Sequence, residues 1–141
     1  MREELEVMAV GVLPLPVPKE DIASLEALQR EHSKAVDAGD LLAVYYSNVH
    51  FHRALFGLCG NNCLFETIEY VAQKVSGIRP YAHAKPGALN DSRQDHIEMI
   101  EAARQSRRDD LIALTRRHLE PAAEAYISGY RQRFGDSGAD A

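Results

Sequence analysis

The sequence predicts an all-α protein: an antiparallel bundle of about six helices enclosing a ligand pocket. Two observations carry this. Alternating apolar and polar residues of the strand type, with β-branched enrichment, are missing, while Ala, Leu, Glu, Gln and Arg dominate. Proline, glycine and Asn/Asp punctuation then cuts the chain into helix-length pieces joined by short connections, which favours antiparallel neighbours.

Each piece has its own start and stop signals. The first helix runs from Arg2 to Val12 and ends before Pro14, Pro16 and Pro18. The second covers Lys19 to Ala38, with Ile22, Leu25 and Leu28 on one face and Gly39 as its stop. Asp40 caps the third, which carries Leu41, Val44, Tyr45, Asn48, His52 and Leu55 and ends near Gly60. Asn61 or Asn62 caps the fourth, running through Leu64, Ile68, Val71 and Val75. Ile78-Arg79-Pro80 closes it, because a residue before proline avoids the α region. "YAHAKPGALN" reads as a loop. Ser92 caps the fifth helix, with Asp95 three residues on and Ile97, Met99, Ile100 and Ala103 inside. Asp109 caps the sixth, with Leu111, Leu114 and His118, and Pro121 is expected to kink it. The tail, residues 135–141 ("GDSGADA"), is small, polar and expected to be disordered.

The 141 residues make one domain of ordinary size, with 45% hydrophobic and 26% charged residues. A formal net charge of -5 repels nucleic acid, so this chain alone is a poor DNA or RNA binder. No apolar run reaches the roughly 18 residues of a membrane span, and the proline-broken "MAVGVLPLPVP" is no signal peptide. The expected compartment is the cytoplasm. Cys59 and Cys63 fit there as two small buried apolar residues.

Three of the six histidines fall on core faces of different helices: His52 with Asn48, Leu55 and Phe56; His96 with Ile100 and Ala103; His118 with Leu111 and Leu114. His50 points nearly opposite to His52. His32, in "QREHSK", and His83, in the loop, read as solvated. One inward histidine is usually a core residue satisfied by a hydrogen bond. Burying three imidazoles is costly unless something accepts their lone pairs, and a divalent metal does so. Asn48, one turn before His52, places an amide oxygen on the same side. Asp95 and Glu98 flank His96 on other faces of its helix, so no inward carboxylate adjoins the histidines as a general base.

Four segments carry a family resemblance. "REELEVMA" opens like R-x-x-L-E-x-x-A; "NVHFHRAL" followed by Gly60-Asn61 is similar to N-x-x-F-H-R-A-L with GN; "SRQDHIEMIEA" and "RRHLEPA" resemble the two later histidine motifs. In this order they resemble the effector-binding FCD domain of GntR-type transcription regulators, over residues 1–134. The resemblance implies a helical bundle around a pocket. In the family's metal-binding branch, an acid and three histidines hold a divalent ion, zinc or nickel. By position these are Asn48, His52, His96 and His118. It further implies a small carboxylate effector, a homodimer, and operator DNA reached through a winged-helix domain that these residues do not include. Asn48 departs from the family's acid. A neutral amide is a weaker ligand and leaves the ion's charge for an anion to balance. Candidate effector contacts are Arg2, Tyr45, Arg79 and Ser92. The alternatives are a metal-dependent enzyme and a metal-free dimerisation bundle.

Overall fold

The computed structural model describes residues 1–75 and 87–120. Five helices lie wholly within them: α1 (Arg2–Gly11), α2 (Lys19–Ala38), α3 (Leu41–Gly57), α4 (Asn62–Val75) and α5 (Ala88–Arg104). A sixth, α6, is described over residues 108–120. No strand occurs among the described residues. None of their helices is long and apolar enough to cross a membrane.

The caps explain most boundaries. Asp40 accepts the Ala43 amide at 3.0 Å and opens α3. Asn61 does the same for Leu64 at 3.0 Å and opens α4. Gly39, at φ 65°, ends α2 in a Schellman turn: its N–H bonds Val36 O and the Asp40 N–H bonds Ala35 O. α5 ends in the same turn, with Ser106 at φ 55° in glycine's place.

Several boundaries differ from the sequence expectation. Ser92 caps nothing: α5 begins at Ala88 behind Gly87 (φ 85°), and Ser92 lies in its second turn. The last three residues of "YAHAKPGALN" are therefore helical. Arg93 stabilises that extra turn by bonding Asn90, and it also reaches Asp37 on α2. α6 begins one residue before Asp109, with the Leu111 amide bonding Arg107 O. α3 stops at Gly57 rather than near Gly60. Pro80, His83, Pro121 and the 135–141 tail lie outside the described residues.

Cross-links between helices give their directions. On α2 and α3, His32 pairs with Ser47 across the short Gly39-Asp40 connection, which makes an antiparallel hairpin. On α2 and α5, Glu26 meets Arg104 while Asp37 meets Arg93, so those helices also run opposite ways. α2 thus packs along both α3 and α5. α1 packs on α4 and α3. α6 closes the bundle: Arg117 reaches Asp95 on α5, Arg116 reaches Glu4 on α1, and Arg108 donates to Gly11 O at 2.6 Å at the end of α1.

The core is apolar and continuous. Leu13, Leu25, Phe51, Leu55, Phe56, Met99 and Leu111 are its largest fully buried members. Burying such a side chain stabilises the fold by about 1.5–3 kcal/mol. One sequence assignment to the interior is corrected: Cys63 is exposed, while Cys59 is buried. Leu41 sits at the exposed start of α3, and Ile97 is 44% exposed on the outer side of α5.

Candidate metal centre

α3, α5 and α6 each bring one histidine to a common point. His52 Nε2 lies 2.8 Å from His118 Nε2 and 3.2 Å from His96 Nε2, and the last two are 3.2 Å apart. Together they form a group able to hold a metal ion. The sequence placed these rings on inward faces, and the fold makes them converge.

Packing fixes the rings. His96 is 0% exposed and stacks on Phe51, with ring centroids 4.1 Å apart and an interplanar angle of 19°. His52 meets Phe56 edge-on. Burial, and then the neighbouring charge at His118, pushes the His52 ring well below the usual histidine range. Burial, and then His52, does the same to His96. Both rings are therefore neutral at pH 7, the state in which imidazole is a ligand.

The outer nitrogens have unequal partners. His96 Nδ1 lies 2.8 Å from Gln29 Oε1 on α2. His118 Nδ1 lies 3.4 Å from Asp95 Oδ2 on α5. Among the described residues, His52 Nδ1 is buried without a hydrogen-bond partner. Asn48, one turn before His52 on α3, likewise holds a buried Oδ1 with no partner among them. An unpaired buried acceptor is costly, and none of the described residues offsets that cost here.

Two expectations about surrounding residues are corrected. His32 is not solvated: it is 0% exposed, with its ring centroid 4.8 Å from that of His96. Its Nδ1 lies 3.1 Å from Ser47 Oγ, and its Nε2 has no partner among the described residues. Burial, aided by the charges of His118 and Arg93, lowers its pKa to about 4. Carboxylates do adjoin the cluster. Asp95 is buried against His118, because Arg117 of α6 folds over the flank of α5. Burial pushes its carboxyl up, but His118 and Arg117 outweigh burial and hold it below the ordinary value. Glu6 of α1 is 1% exposed, raised by burial against the opposing pull of Arg2, and within the electrostatic reach of His118.

The candidate effector contacts fare unevenly. Arg2 donates through Nε to Glu6 Oε1 at 2.7 Å, so part of its guanidinium is engaged. Tyr45 is half-buried on α3, one turn before Asn48, with its ring edge-on to Tyr46. Ser92 is half-buried, one turn before His96 on α5. Arg79 lies outside the described residues. Gln29 and His32 were absent from the sequence-derived set.

The family model of the FCD domain matches residues 1–121. No curated protein sequence matches the chain. Among solved structures, E. coli McbR/YncC is similar in fold, with a TM-score of 0.80 at 21% identity over 92% of this chain. The chain spans 62% of the length of that structure.

Proposed function

The chain belongs to the FCD domain family, and on that premise we propose that it is the ligand-sensing domain of a GntR-type transcription regulator. In this reading it holds one divalent metal ion and a small organic acid. His52, His96 and His118 are the nitrogen ligands, and Asn48 Oδ1 is the neutral oxygen ligand. Arg2, Tyr45, Arg79 and Ser92 are the candidates for the acid's outer contacts. Operator DNA is a partner of the parent regulator, reached through a winged-helix domain, and the regulator works as a dimer.

The observation that carries the metal reading is the triangle of Nε2 atoms, with edges of 2.8, 3.2 and 3.2 Å. Nitrogens about 2.1 Å from one ion are about 3.0 Å apart when they share an octahedral face and about 3.4 Å apart in a tetrahedron. The triangle fits the octahedral face better. That geometry leaves room for Asn48 and for two donors of a chelating acid. The unpartnered Asn48 oxygen supports the same reading. With neutral protein ligands only, the ion keeps its full charge, which favours an anionic effector. Zinc is the first candidate and nickel the second.

A regulatory role fits better than catalysis. Asp95, the carboxylate beside His118, is held by Arg117, while Glu6 is bonded to Arg2 through Oε1 only. Native mass spectrometry of protein purified without chelator or tag-derived metal tests the reading. One divalent ion per chain, with a co-purified acid of low mass, is the expected result. A chain that stays metal-free after equilibration with both zinc and nickel overturns it.

A further inference from the structure

A neutral imidazole carries one ring proton on one of its two nitrogens. The partners around this cluster decide where each proton sits. His96 Nδ1 faces the Gln29 carbonyl oxygen, which only accepts, so that nitrogen holds the His96 proton. On its other side the amide NH2 group donates to Ser33 Oγ at 3.2 Å, one turn along α2. His118 Nδ1 faces the Asp95 carboxylate, again an acceptor, and Arg117 anchors that carboxylate. The His96 ring therefore turns a bare Nε2 inward.

His96 Nε2 lies 3.2 Å from both His52 Nε2 and His118 Nε2, so the nitrogen left bare is the one aimed into the cluster.

We infer that Gln29 is a positioning residue that fixes the inward lone pair of His96. α2 supplies no ligand to the cluster, yet it sets the form in which α5 presents one. The part concerning affinity rests on the metal reading above; the proton arrangement does not.

Ring-nitrogen NMR of the metal-free chain near pH 7.5 reads the arrangement directly. The expected spectrum has an Nδ1–H form for His96. Gln29→Met keeps the length of the side chain and removes the acceptor. It is expected to leave His96 in a mixture of forms and to weaken Ni(II) binding about 10–100-fold at unchanged helix content. Gln29→Glu should keep the single Nδ1–H form and bind Ni(II) at least as tightly as the wild type. An Nε2–H form of His96 in the wild type overturns the inference, and so does a Gln29→Met chain with wild-type spectrum and affinity. If Gln29→Met does not fold, Ser33→Ala frees the amide from a half-buried position and gives the same readouts with a smaller change. A wild type that binds no Ni(II) defeats the metal reading, while the ring spectra still decide the proton arrangement.

Discussion

Asp95 Oδ2 lies 3.4 Å from His118 Nδ1, and Arg117 Nε donates to the other oxygen of the same carboxylate at 3.0 Å. One side chain of α5 thus orients a ring of α6 and is itself held from α6. Asp95→Asn keeps the shape and removes the charge. Metal affinity is expected to fall about 10–100-fold, measured by competition with a chromophoric chelator. Because the Asp95 carboxyl is held below its ordinary value of 3.8, its contribution to stability is complete above that pH and is lost as the pH falls through its folded value. The stability gap between wild type and variant should therefore close in acid.

Asn48→Asp is expected to tighten binding of zinc or nickel by at least tenfold. A carboxylate is a stronger ligand than an amide and neutralises part of the ion's charge. The same change should weaken the preference of the loaded site for an anionic acid, since less charge remains uncompensated. Calorimetry with the metal and then with citrate as the probe separates the two effects. An unchanged metal dissociation constant removes Asn48 from the ligand set.

The buried histidines make the metal-free chain sensitive to mild acid. The His32 pKa is lowered to about 4, against an ordinary 6.5, by burial and by the charges of His118 and Arg93. Between those values the unfolded chain binds a proton that the folded chain refuses, so stability falls as pH drops from about 6.5 toward 4. His52 and His96 shift in the same direction, each by burial first. Tm of the metal-free wild type should drop by about 5 °C or more between pH 7 and pH 5. His32→Gln, which keeps a polar side chain of similar size with no titratable group, should show a shallower slope.

The helices were legible because their boundaries are local chemistry: Asp40 and Asn61 cap, Gly39 stops. The histidine triad was legible because each ring repeats the spacing of its helix's apolar face. His32 and Gln29 were missed, although a signal was present. Ile22, Leu25, Gln29, His32 and Ala35 form one buried stripe at three- and four-residue steps, and the polar neighbours in "QREHSK" obscured it. Asp95 was not legible at all. It is adjacent to His96 in sequence and so about 100° away around the helix, and it is buried only because Arg117 from another helix covers that flank. Ile97 shows the converse: an apolar residue among core positions that meets solvent, since no described element lies over it.

The two Schellman turns give a matched pair of stability predictions. Gly39 ends α2 at φ 65° with open space where an alanine methyl would sit, so Gly39→Ala meets no clash and suffers only from the left-handed backbone. That conformation costs an L-residue about 1–2 kcal/mol, and Gly39→Ala should destabilise the fold by about 1 kcal/mol. Ser106 already bears such a cost at φ 55°, in an exposed turn where Arg107 N bonds Ala102 O at 2.8 Å and Ser106 N bonds Ala103 O at 3.2 Å. Ser106→Gly relieves it and frees more of the unfolded chain, two effects that oppose each other with the first larger. A gain of about 0.5–1 kcal/mol is expected, read as a higher guanidinium midpoint at unchanged slope. Since the turn sets the angle at which α6 leaves α5, and so the approach of His118 to His96, a shift in metal affinity in Ser106→Gly would mean that the residue does more than close a helix.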